Sequence, residues 1–323
     1  MKRGFKILLV SAVVIMLGLG LAFVLLYGPS FGIYLKKPSP QEYVQQAVKY
    51  MDIQGIYSDS DEWKAVRDET LRKAADIGSY EESYDMLNDA LKIAGGKHSK
   101  LISPDKIGNN SDSPQMPECK MRSNGILFIR LPEFTGDSKA GNEYAETVND
   151  SIRQYKNDIK GIIVDLRGNT GGDMGPMVAA VSSLLEDGVL MNFGVKGTLR
   201  QVTLEEGCIS GGGSTVTLEK PFKLTGVPVA ILQDDMTASS GEASLICFRG
   251  LNYVKTFGTA SAGYCSSNNV IKLYDGATML ITMGTDIART GEEFCEDPIE
   301  PDEQSSEPEA AAEEWIFSYI NQQ

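Results

Sequence analysis

Hydrophobic and polar positions change their period several times along this 323-residue chain. Residues Ile7 to Tyr27 form an uncharged, largely apolar run. At about 1.5 Å per residue such a run makes a helix roughly 30 Å long, enough to cross the hydrocarbon core of a bilayer. From Ser39 to Ala94 the period is helical. Ser39-Pro40 starts one helix with Tyr43, Ala47 and Met51 on one face, and Ser60-Asp61-Glu62 opens a second with Trp63, Val66 and Leu71 inward. Tyr80 to Ile93 gives a third, carrying Tyr84, Leu87 and Leu91 and stopped by Gly95-Gly96. Polar, proline-punctuated residues 109–117 read as a loop. Strand and helix then alternate: strands at Ile126–Leu131, Gly161–Leu166 and Val227–Leu232, helices at Gly141–Tyr155, Asp173–Leu185 and Ser240–Leu251. Val270–Tyr274 and Thr278–Thr282 form a hairpin about Asp275-Gly276, and an acidic stretch leads to a final amphipathic helix holding Trp315, Ile316, Tyr319 and Ile320. Continuous apolar strands between helices predict an α/β core on a buried parallel sheet.

Lys2, Arg3 and Lys6 flank the apolar run and place its N-terminal side in the cytoplasm. A signal peptide would have a shorter apolar region and a small-x-small cleavage site, and Tyr27-Gly28-Pro29-Ser30-Phe31 offers none. The predicted organisation is a cytoplasmic tail (1–6), a single-pass membrane anchor (7–28), and everything beyond outside the cell. There follow a helical bundle (29–97), a connecting segment (98–124), an α/β core (125–303) and a C-terminal helix (304–323). The net charge of −14 argues against nucleic acid and suits a cationic partner, or serves solubility. Five cysteines (Cys119, Cys208, Cys247, Cys265, Cys295) include no C-x-x-C pair, so neither a metal site nor a dense disulfide framework is expected.

The chain's single histidine, His98, follows the Gly95-Gly96 pair. Imidazole is the side chain whose ordinary pKa, about 6.5, lets it take and return a proton near neutrality. Two strand-to-helix turns supply possible partners. Asp165-Leu166-Arg167-Gly168-Asn169-Thr170-Gly171-Gly172-Asp173 lacks the Lys-Ser/Thr of a P-loop and any G-x-G-x-x-G, so no nucleotide cofactor is expected. Its glycines suit a backbone N–H aimed at a developing oxyanion. Thr237-Ala238-Ser239-Ser240-Gly241-Glu242 places serines where a strand turns into a helix. A serine there reads equally as a helix N-cap or as a nucleophile.

In order, these strings, with Pro298-Ile299-Glu300-Pro301-Asp302 closing the series, resemble the carboxy-terminal processing and tricorn-like serine peptidases. The narrower similarity is to membrane-anchored, lantibiotic-degrading members. It is carried by Gly95-Gly96-Lys97-His98-Ser99, Pro132-Glu133-Phe134-Thr135-Gly136, Gly258-Thr259-Ala260-Ser261-Ala262-Gly263-Tyr264 and Tyr274-Asp275-Gly276. The resemblance implies Ser239 as nucleophile, with Ser240, Gly171 and Gly172 offering N–H groups to the oxyanion. The lysine base of the processing proteases falls here on Tyr264, a poor base at neutral pH, which leaves the base to His98. Glu293 and Glu296 are the candidates for a third member. Too few residues separate Ser99 from Gly125 for the PDZ domain that such proteases insert. No metal or cofactor is implied. The implied substrate is a cationic antimicrobial peptide of the nisin type, cut near its C-terminal tail. Processing of the cell's own exported proteins and non-catalytic sequestration of the peptide are the alternatives.

Overall fold

The computed structural model describes residues 33–107 and 114–322, with residues 15, 16, 18–20, 24 and 28 ahead of them. Most of the expected anchor and much of the loop at 109–117 therefore lie outside the described residues. Among those described, no helix is long and apolar enough to cross a membrane. The chain forms two compact units, one built from residues up to 107 with Asn268–Thr282, the other from residues 114–267 with Met283 onward.

Among the described residues from 33 onward, the first unit carries three α-helices, Pro40–Gln54, Asp61–Lys73 and Tyr84–Gly95. Ser39 and Glu42 form a reciprocal capping box ahead of Pro40, and the Ser60 hydroxyl accepts from the Trp63 N–H. Tyr43, Met51, Trp63, Leu87 and Leu91 are buried together with Ile271, Leu273, Met279 and Ile281 of the hairpin. The sequence expectation of one core over 125–303 does not single out this return of Asn268–Thr282 to the helices. Its cause is legible in the contacts: the Asp275 carboxylate at the hairpin tip accepts from Tyr43 Oη at 3.1 Å and Tyr84 Oη at 2.6 Å, and from the Ala277 N–H at 3.0 Å. The short strand Lys100–Ile102 pairs antiparallel with Thr278–Leu280.

In the second unit a six-stranded sheet runs in the order Glu303–Gln304, Val254–Gly258, Val229–Gln233, Gly161–Asp165, Ile126–Arg130, Glu118–Met121. All its neighbours are parallel except the last pair. Ile162, Val164, Val229 and Ile231 face the helices Ser138–Tyr155 and Met174–Ala180. Ile163, Ala230 and Leu232 face Ala312 and Ile316 of the C-terminal helix Pro308–Asn321. Covering both faces is what made these strands read as unbroken apolar runs. The expected helices to Leu185 and Leu251 stop earlier, at Ala180 and Ile246. Beyond both ends the backbone tightens to i→i+3 bonds, such as Leu184 N–H to Val181 and Arg249 N–H to Ile246.

Four antiparallel strands of the second sheet were not anticipated: Gly188–Val195, Thr198–Glu205, Cys208–Ser210 and Val216–Thr217, the first of them paired with residues Thr285–Ala288 of the strand Thr278–Ala288. Their first two turns, Lys196-Gly197 and Glu206-Gly207, have positive φ throughout, the primed geometry normally signalled by Asn-Gly or Asp-Gly. Lysine and glutamate at those first positions conceal the signal.

Candidate active site

Ser239 lies at the N-terminus of the helix Ser240–Ile246, immediately after the loop that leaves the buried strand Val229–Gln233. Its backbone stands at φ 53° and ψ −117°, outside the regions open to side-chain-bearing residues at low energy. Such a conformation costs about 1–3 kcal/mol and persists only where neighbours over-determine it. Three of them do so. Thr237 Oγ1 donates to the Leu166 carbonyl at 2.9 Å, and the Ala238 N–H donates to the Asn169 carbonyl at 2.9 Å. The Ser239 N–H itself donates to Glu242 Oε2 at 2.8 Å.

Glu242 is fully buried, and its carboxylate is surrounded by donors. Oε1 accepts from the Ser261 hydroxyl and from the Gly263 N–H at 2.8 Å; Oε2 accepts from the Tyr264 N–H at 2.8 Å as well as from Ser239. One carboxylate therefore ties the serine turn to the segment Ser261–Tyr264. Glu242 closes the motif Thr237–Glu242, whose residue types alone assign it no role. Its position three residues after the helix-capping serine is the signal that could have found it.

The glycine turn is bracketed in the same manner. Asn169, also fully buried, donates through Nδ2 to the Leu131 carbonyl at 2.9 Å, and its Oδ1 accepts the Gly171 N–H at 2.9 Å. That corrects the expected oxyanion set, because the Gly171 N–H is already engaged. Gly171 serves by shape instead: at φ 109°, a Cβ there would come within 2.9 Å of the Ser239 Cβ. The Gly172 carbonyl accepts from Ser240 Oγ at 2.7 Å, joining the two turns. The Gly172 and Ser240 N–H groups have no acceptor among the described residues. The structure thus brings Ser239, Ser240, Gly171 and Gly172 together.

His98 belongs to the first unit. It follows Gly96, whose φ of 79° ends the third helix, and precedes Ser99, whose hydroxyl accepts from the Thr282 N–H at 2.9 Å. Burial, with Lys100 and Lys97 adding repulsion, pushes its imidazole down to about 4, so it is neutral across the physiological range. Glu293 lies exposed on the short strand Glu293–Phe294 and accepts from Thr285 Oγ1 at 2.6 Å. The backbone carbonyl of Glu296 packs against Gly263. Among the described residues no group of three His, Cys, Asp or Glu side chains could hold a metal ion.

A serine on a strained turn at a helix start, beside unengaged backbone N–H groups, is an arrangement suited to acyl transfer. Comparison with known proteins agrees. The description of peptidase family S41 matches residues 125–305. The chain is 40% identical over 322 residues, 99% of its length and 100% of the relative's, to nisin-resistance protein of Lactococcus lactis subsp. lactis. Among solved structures, a lipoprotein from Streptococcus agalactiae has a TM-score of 0.80 at 30% identity, covering 88% of this chain and 99% of that one. The photosystem II D1 C-terminal processing protease, at 13% identity and a TM-score of 0.57 over 83% of this chain and 94% of that one, shares the fold. With the family match spanning the α/β core and the similarity running end to end, the chain belongs to peptidase family S41.

Proposed function

We propose that this chain is a serine endopeptidase, anchored by its N-terminal apolar run and acting outside the cell, that cuts cationic lantibiotics of the nisin type near their C-terminal tail. In this reading Ser239 Oγ attacks the scissile carbonyl while neutral His98 takes its proton and returns it to the leaving amine. The Gly172 and Ser240 N–H groups receive the charge that develops on the carbonyl oxygen. The observation that carries the chemistry is the positive-φ backbone of Ser239, held in place by Glu242 and packed against Gly171. The end-to-end similarity to a protein named for nisin resistance supports this choice of substrate. An overall charge of −14 fits a cationic peptide, which it would draw toward the enzyme.

The test is mass spectrometry of nisin incubated with membranes carrying the full-length chain. Truncated peptide should accumulate with the wild type and be absent with Ser239→Ala, and His98→Ala should slow cleavage on the order of 10³-fold. Cleavage by Ser239→Ala with loss of activity in Ser240→Ala would reassign the nucleophile. Intact nisin with every form, alongside cleavage of the cell's own exported proteins, would reassign the substrate.

A further inference from the structure

The first unit carries most of the large apolar side chains exposed among the described residues: Ile33, Leu35, Ile53 and Val270 are each more than half exposed, with Tyr274 beside them. They share one strip. Tyr34 donates to Gln46 on the helix Pro40–Gln54 at 3.1 Å and packs edge-on against Tyr274 at 4.9 Å. At the far end of the same helix, Gln54, next to Ile53, accepts from Asn269, next to Val270, at 2.7 Å. Along the hairpin strand the side chains alternate, Ile271 and Leu273 inward against the helices and Val270, Lys272 and Tyr274 outward.

The polar complement of this strip is basic, in a chain whose net charge is −14. Lys36, Lys37, Lys49 and Lys272 are exposed along it. Lys49 and Lys272 have no ion-pair partner among the described residues, and Lys37 lies over the Tyr80 ring at 5.4 Å. Of the nearby carboxylates, Glu42 pairs with Lys36, Glu81 lies close enough to Lys37 to feel its charge, Asp275 accepts from the two tyrosines, and Asp52 accepts from Trp63 Nε1, which leaves Lys49 and Lys272 as the strip's uncompensated charges.

Five residues separate Tyr27, the end of the apolar run, from Ile33, so the six steps between them span at most about 20 Å. Exposed aliphatic residues, tyrosines and lysines together suit the headgroup layer of a bilayer, where tyrosine presents an apolar body and a polar tip and lysine meets anionic lipid. We infer that the strip formed by residues 33–37, the outer face of the helix at Lys49–Ile53 and the hairpin strand at Val270–Tyr274 rests on an anionic membrane surface. The helical unit then lies against the lipid rather than swinging from its tether. This inference rests on the anchored reading above.

The experiment is carbene footprinting of the full-length chain in detergent and in nanodiscs of phosphatidylglycerol or of phosphatidylcholine. Labelling of Ile53, Val270 and Tyr274 should fall several-fold in phosphatidylglycerol nanodiscs, and less in phosphatidylcholine. V270E/K272E should restore it while the chain stays incorporated. Equal labelling in all three environments, with the chain incorporated, overturns the inference and leaves the anchor standing. Failure to incorporate overturns both. Protection that persists in detergent and grows with protein concentration assigns the strip to a second copy of the chain and overturns contact with lipid.

Discussion

His98 and Asp286 show how strongly burial changes what a side chain can do here. With its imidazole pushed down to about 4, His98 stays in the base form well below neutrality. The kcat/KM profile should then remain level from pH 8 to about pH 5 and fall tenfold per unit only below its shifted midpoint. An unperturbed imidazole would put the midpoint near 6.5. A profile with that higher midpoint, with chemistry rate-limiting, would show that the site does not depress the imidazole. Asp286 moves the other way. It is buried in the strand Thr278–Ala288 with Oδ1 lacking a partner among the described residues, and burial, with Glu242 nearby, raises its pKa well above the ordinary carboxylate range. A carboxyl whose folded pKa exceeds its unfolded value favours the fold fully only below the unfolded pKa near 4. That contribution is lost as pH rises through the folded value. Asp286→Asn, which cannot ionise, should therefore raise Tm by a few degrees at pH 8 and bring less gain at pH 4. A variant less stable at pH 8 than at pH 4, relative to wild type, would contradict this account.

The element at which chemistry and stability meet is the turn into the helix Ser240–Ile246. Glu242 accepts from four donors there, and glutamine would place an amide N–H₂ among them. Glu242→Gln should cost about 2–4 kcal/mol. It should also lower kcat on the order of 10²-fold with KM little changed, because the loss falls on the orientation of Ser239. A kcat within about twofold of wild type would reduce Glu242 to a structural bond. The strands flanking this turn were readable because Gly161–Asp165 and Val229–Gln233 are apolar on both faces. Ser239, Ser240 and the glycine pair were readable from the local strings that hold them. Glu242 and Asn169 were not given their roles, because those depend on partners such as Leu131, Ser261 and Tyr264 that only the folded chain supplies. The strands between Gly188 and Thr217 escaped because Lys196 and Glu206 adopt positive φ, which their residue types do not advertise.

For the whole molecule, the telling feature is that the helical unit is not a continuous stretch of chain. Its core needs Ile271, Leu273, Met279 and Ile281, and the lock at the hairpin tip is Asp275. Asp275→Ala leaves the Tyr43 hydroxyl, on a fully buried side chain, without its acceptor and removes the bond from Tyr84. The expected cost is about 2–4 kcal/mol. Hydrogen exchange should show it as faster labelling across Pro40–Gly95 than across Gly161–Asp165. Uniform acceleration in both segments would mean that the two parts unfold as one. Periodicity finds the helices and the hairpin separately. It carries no sign that they pack together, because each pattern states only that one face is buried, not against what.

The same arrangement sets a schedule for synthesis. When Gly95 leaves the ribosome the three helical segments have been made, yet the strands that cover their apolar side follow roughly 190 residues later, some 10–40 s at ordinary elongation rates. During that interval Tyr43, Leu87 and Leu91 have no partner from the hairpin, so the nascent chain presents a sticky, half-finished bundle. In pulse-labelled chains truncated before Asn268, Pro40–Gly95 should therefore remain protease-sensitive, and lengthening them past Thr282 should protect those helices, while the sheet covered by Pro308–Asn321 stays incomplete until Asn321 is made.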